Sequence, residues 1–166
     1  NGYAITAVIG RNEIMDVAQS TFMSSTFWTE RIGPSAALKT LEVMEKIKSW
    51  DLITNVGKGI GEQWKILGKK YHLPLKINGL PSMIGFVIQS KNWLKYKTYI
   101  TQEMLKNNFL ASNSVYCCIK HDDKILEKYF NNLEKIFKMI RLCEDGHEIS
   151  KFLKSKPSIM DFQRLN

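Results

Sequence analysis

Apolar residues recur along this chain in two periods, and the switches between them outline its elements. Ile53, Val56, Ile60, Trp64, Leu67 and Tyr71 fall at steps of three and four, which draws one stripe along a helix. Asp51 is placed to cap it, and His72-Leu73-Pro74 ends it. A second stripe follows His121-Asp122, through Ile125, Leu126, Tyr129, Phe130, Leu133, Phe137 and Ile140. A third carries Ala37, Leu41, Met44 and Ile47 on a helix that begins between Thr29 and Pro34, because proline is tolerated in a first turn. Tyr96 to Lys106 reads as a helix stopped by Asn107-Asn108, and Asn12 caps a short one with Ile14, Met15 and Val17.

The strand signals lie between these stripes. Ala4 to Ile9 is a nearly continuous apolar run, as in a strand buried on both faces. Leu75 to Ile77 and Met83 to Ile88 read as two strands joined by an Asn78-Gly79 turn. Phe109 to Ala111 and Val115 to Ile119 read as two more, and a short helical stretch precedes Pro157. From residue 29 the order is helix, helix, strand, strand, helix, strand, strand, helix. That order predicts an α+β domain with helices on one face of a small, mainly antiparallel sheet.

Composition narrows the class. A length of 166 residues suits one domain, or one domain with a piece of another. The chain is 44% hydrophobic and 24% charged, as ordinary globular proteins are. No apolar run has the length of a membrane span, and no signal peptide is read at the N-terminus. Cys117, Cys118 and Cys143 lack metal-ligand spacing, and an odd count with an adjacent pair reads as buried free thiols in a reducing, cytoplasmic compartment. The net charge of +8 comes from lysines spread along the helices. They read as solvated faces, because no nucleic-acid motif accompanies them.

Three features invite a chemical reading. Gly57-Lys58-Gly59-Ile60-Gly61 lacks the spacing of a dinucleotide fingerprint and the ending of a P-loop, so close packing inside a helix is expected. His72, His121 and His147 have no second ligand at metal-like spacing; a Cys118–His121 dyad is conceivable, but its spacing gives it no support. Ser24-Ser25-Thr26 places hydroxyls just before a helix start, an arrangement that serves either a plain capped loop or a phosphate.

The residue order itself favours one of these readings. Asn1-Gly2, the run Ala4 to Ile9, Gly10-Arg11-Asn12-Glu13-Ile14-Met15, then Thr26 and the stretch Ala36-Ala37-Leu38-Lys39-Thr40-Leu41-Glu42 resemble the segment after the cofactor lysine in class III, pyridoxal-phosphate-dependent aminotransferases. The likeness is to the glutamate-1-semialdehyde aminotransferase-like group. Gly79 to Phe86, Met104 to Ala111 and Lys120 to Ile125 resemble successive pieces of that family's C-terminal small domain.

The resemblance implies a C-terminal fragment of a fold-type-I transferase. Residues 1–33 would be a remnant of the large cofactor-binding domain, 34–141 the small α+β domain and 142–166 a tail. It implies pyridoxal 5'-phosphate as cofactor and a Schiff-base lysine upstream of Asn1, so that the fragment alone is inactive. It implies a homodimer in which Thr26, with Ser25 beside it, contacts the phosphate of the neighbouring subunit's cofactor, and Thr29 is a second candidate. The substrates would be a small amino donor and a semialdehyde, keto acid or keto sugar. Trp28-Thr29-Glu30-Arg31 departs from the family's Ser-Gly-Asn-Pro, which leaves the choice among them open. Taken without the resemblance, the same chain also suits a noncatalytic α+β binding or assembly module with a basic surface.

Overall fold

The computed structural model describes residues 2–23, 26–27 and 29–159. The chain divides into two units, residues 1–49 and 50–166. Among the described residues the order is α1 (Asn12–Ala18), α2 (Ile32–Ile47), α3 (Ser49–Lys70), β1 (Leu75–Leu80), β2 (Met83–Ile88), α4 (Trp93–Lys106), β3 (Ser114–Tyr116), α5 (Asp123–Glu144) and a 3-10 turn (Ile149–Phe152).

The second unit is the expected α+β arrangement, an antiparallel sheet of order β1-β2-β3. Strand alternation sends Ile84, Phe86 and Ile88 of β2 to one face, where all three are buried. Phe86 is the centre of that face. Its ring meets Trp64 of α3 at 4.8 Å, Phe137 of α5 at 5.7 Å and Trp93 of α4 at 6.2 Å, each edge-on. Edge-to-face pairs of this kind add about 1 kcal/mol each beyond the area they bury. The Trp64 indole donates to the Tyr129 hydroxyl at 3.1 Å, so neither polar atom is buried unpaired. The stripes of α3 and α5 therefore face the sheet as their spacing predicted.

The glycines of α3 explain how closely that helix lies on the hairpin. A Cβ on Gly57 would meet the Pro81 carbonyl oxygen at 1.7 Å, and one on Gly61 would meet Ile84 Cδ1 at 2.7 Å. Gly57 and Gly61 of the Gly-Lys-Gly-Ile-Gly run thus serve close packing, as expected, and a Cβ on Gly59 would meet nothing within 4 Å.

Several local expectations differ from the fold. The hairpin turn is Pro81-Ser82, since Leu80 pairs Met83 across it. Asn78 and Gly79 are strand residues opposite Gly85 and Ile84. Proline suits a turn's first central position. Gly79 instead uses its freedom inside the strand, at φ 87°, where a Cβ would meet Met83 O at 2.3 Å. Phe109 to Ala111 is not a strand: Asn113 takes over the pairing with Phe86, accepting from its N–H through the backbone carbonyl at 2.9 Å and donating from its side chain to its carbonyl at 3.0 Å. Phe109 fills the core beside Tyr129. β3 ends at Tyr116, after which the Cys117 N–H donates to Ser82 O and the chain turns away. As a result Cys118 is exposed, Cys117 half-buried and Cys143 alone fully buried among these thiols.

In the first unit, Ala4 to Ile9 forms no strand among the described residues, and Val8 and Ile9 are exposed. A strand is defined by ladder partners, and none of the described residues supplies them. α1 begins at Asn12 with Arg11 as its N-cap. α2 begins at Ile32 with Pro34 in its first turn, inside the expected interval.

Candidate functional site

The hydroxyls ahead of α2 fall into two groups. Ser20 and Thr21 donate to the carbonyls of Val17 and Ala18, at 2.7 and 2.8 Å, and so close the end of α1. Thr26 is exposed in a turn and makes no hydrogen bond among the described residues, and Thr29 is exposed as well. Ser25 lies outside the described residues. The turn closes through Glu30 N–H donating to Phe27 O at 3.2 Å, and α2 opens as Ser35 N–H donates to Arg31 O at 3.0 Å.

The start of α2 is bare. Its N-cap is Arg31, which has no capping side chain, and there is no acidic residue in the first turn. Free N–H groups and the positive end of the helix dipole therefore have no acidic side chain within the first turn, and Glu30 is the nearest one in sequence, just before the cap. This is legible in Arg31-Ile32-Gly33-Pro34, which offers no hydroxyl or carboxylate cap. Gly33 holds the extended segment close to this end, since a Cβ there would meet Ala4 O at 2.7 Å.

In the second unit, a cleft of about 290 Å³ lies between β3 and α5, lined mainly by apolar side chains with His121, Ser114 and Tyr129 among them. Its polar groups do not form a catalytic set. His121 Nδ1 accepts from the Cys118 backbone N–H at 3.4 Å, and the Cys118 thiol accepts from Lys120 N–H at 3.3 Å. The Cys118–His121 dyad is accordingly not formed. Burial pushes the Cys117 thiol and the Tyr129 hydroxyl above their ordinary ranges, so both stay protonated. His147 Nδ1 lies 3.0 Å from Leu142 O at the end of α5. Among the described residues no group of three or more His, Cys, Asp or Glu could hold a metal ion.

The comparisons with known proteins agree on one lineage. The chain is 31% identical over 150 residues to the 3-aminobutyryl-CoA aminotransferase of Cloacimonas acidaminovorans, covering 84% of this chain and 36% of that protein. It is 22% identical over 153 residues to the glutamate-1-semialdehyde 2,1-aminomutase of Methanocaldococcus jannaschii, covering 82% of this chain and 36% of that protein. The FumI protein of Sphingopyxis sp. MTA144, solved in its PLP internal aldimine form, superposes with a TM-score of 0.74 at 14% identity, covering 87% of this chain and 35% of that one.

The chain is class III aminotransferase-like. This aminotransferase-like chain spans about a third of the length of the relatives it matches. No family model matches it. The FumI likeness is one of fold. No helix among the described residues is long and apolar enough to cross a membrane.

Proposed function

We propose that this chain is the C-terminal third of a pyridoxal-phosphate-dependent aminotransferase or aminomutase that acts on a semialdehyde, keto acid or keto sugar. The 31% identity over 150 residues to an aminotransferase carries the reading. In it, residues 1–33 belong to the large cofactor-binding domain, 34–141 form the small domain and 142–166 are its tail. The parent enzyme works as a homodimer in the cytoplasm, and three free cysteines accord with a reducing compartment.

The residues ahead of α2 fit a phosphate. Thr26 presents an exposed hydroxyl, and the helix beyond it has free N–H groups, an arginine cap and no acidic side chain in its first turn. Thr26, with Ser25 and Thr29 as neighbours, would donate to the phosphate of the cofactor in the other subunit. When bound, the cofactor supplies an electron sink for the carbon that carries the amino group. The contribution of this chain is to hold and orient the phosphate. The lysine and the acidic partner of the pyridine nitrogen would come from the remainder of the parent.

Two measurements test the reading. The purified 166-residue chain is expected to give no turnover of amino donors with keto acids, and turnover free of full-length enzyme would overturn that. In the full-length protein, Thr26→Ala should weaken cofactor retention roughly tenfold, the worth of one charge-assisted hydrogen bond. Unchanged retention would remove Thr26 from the site.

A further inference from the structure

The basic charge of this chain is not evenly spread. Between α4 and the segment that follows the 3-10 turn lies a groove of about 430 Å³ whose lining includes Lys97, Lys154 and Lys156, together with Ser155 and Ser158, and no carboxylate among the described residues. None of the three lysines forms an ion pair among the described residues. Lys39, Lys65, Lys70, Lys106 and Lys151 are each matched with a glutamate; what sets Lys97, Lys154 and Lys156 apart from the other unpaired lysines is that they share one groove.

The groove is also built, in that side chains of α4 fix its far wall. Gln102 clamps the segment from both sides of its amide, donating to Phe152 O at 3.0 Å and accepting from Lys154 N–H at 2.7 Å. One turn back along α4, Thr98 Oγ1 accepts from Ser158 N–H at 2.8 Å, and the Ser158 hydroxyl donates to Leu94 O at 3.4 Å. Residues 152–158 are thus tied to α4 at both ends, and the span between the ties carries Lys154 and Lys156 opposite Lys97.

We propose that this groove binds a diphosphate-bearing small molecule. Ammonium groups on opposing walls of one cleft focus a positive potential there, and each is a mobile three-donor point charge suited to phosphate oxygens. The summed charge of Lys97, Lys154 and Lys156 matches a diphosphate better than a single carboxylate. Leu105, together with the lysine methylenes, leaves an apolar strip for the organic group attached to it. The site lies in the second unit and is independent of Thr26 and of the aminotransferase reading.

Calorimetric titration of the full chain with pyrophosphate and with ADP tests it. Both should bind, and Lys97→Ala or Lys154→Ala should each weaken binding roughly tenfold. Gln102→Leu, which frees the segment while leaving every charge, should weaken it as well. Lys39→Ala, on α2 of the first unit, should change nothing, and thermal melts should confirm that the variants remain folded. Absence of binding at low salt overturns the proposal. So does equal weakening by Lys39→Ala, which would mark a response to net charge alone. Tighter binding of heparin or RNA that ignores Lys97→Ala would also overturn it, by assigning the charge to a diffuse polyanion surface.

Discussion

At the scale of single residues, two glycines of α3 that look alike in sequence have opposite roles. Gly57 and Gly59 are two positions apart, so they lie on different sides of the helix. Gly57 is buried with the Pro81 carbonyl where its Cβ would be, and Gly59 has nothing within 4 Å of that position. Gly57→Ala must push the helix off the hairpin, a backbone displacement that costs about 3 kcal/mol. Gly59→Ala should stabilise by about 1 kcal/mol, because alanine restricts the unfolded chain and favours the helix. Chemical denaturation of the two variants checks the pair, and a shift of the same sign in both would contradict the packing described. The sequence made it legible that the run sits inside a helix. It does not reveal which glycine is indispensable, because that depends on the Pro81-Ser82 turn, and Asn78-Gly79 nearby carries the stronger turn signal.

At the scale of elements, the helical stripes were legible and the strand ends were not. Trp64, Leu67, Leu133, Phe137 and Ile140 are all buried as their spacing predicted, since helical periodicity is set by local geometry. Strand limits depend on partners distant in sequence. Asn113, a polar residue, replaces the ladder that Phe109 to Ala111 was expected to supply. Polar ties between elements were likewise hidden, and one has a testable pH dependence. Glu134 of α5 accepts from Lys70 at the end of α3 and, at 2.9 Å, from the Tyr71 hydroxyl. The Lys70 hydrogen bond, then that of Tyr71, holds the Glu134 carboxyl below the usual carboxylate range. A folded-state pKa below the unfolded one means that the unfolded chain binds the proton first on acidification. The tie therefore contributes fully above the unfolded-state pKa, and its contribution is lost as pH falls through the folded one. Glu134→Gln should reduce stability near about pH 7 and converge on the parent as pH falls through the lowered folded-state value. The effect should be small, because solvent screens the pair. Denaturation curves that stay separated by a constant amount across that range would show that the tie is not ionic.

At the scale of the whole molecule, the two units differ in what they bury. Every core side chain from Ile60 to Ile149 belongs to the second unit. In the first, the only buried positions among the described residues are Gly33 and Ser49, and α2 exposes Ile32, Leu38, Leu41 and Val43. The apolar pattern of α2 was legible, but a pattern states only that a helix has an apolar side, whereas burial needs a surface to lie against. Helical hydrogen bonds without a packed apolar face give little stability of their own, particularly in a helix of 16 residues. Local opening should consequently cost far less in α2 than in α3 or α5. Native-state hydrogen exchange of the chain is expected to show amides of α1 and α2 exchanging close to the unfolded rate. Those around Trp64 and Phe137 should be protected to the level of global unfolding, on the order of 5 kcal/mol or more. The contrast should survive at neutral and mildly acidic pH, because it arises from apolar burial and not from titrating groups. Comparable protection in α2 and α5 would mean that the first unit has found a covering surface, and a second measurement at tenfold lower protein concentration would then tell whether that surface is another copy of the chain.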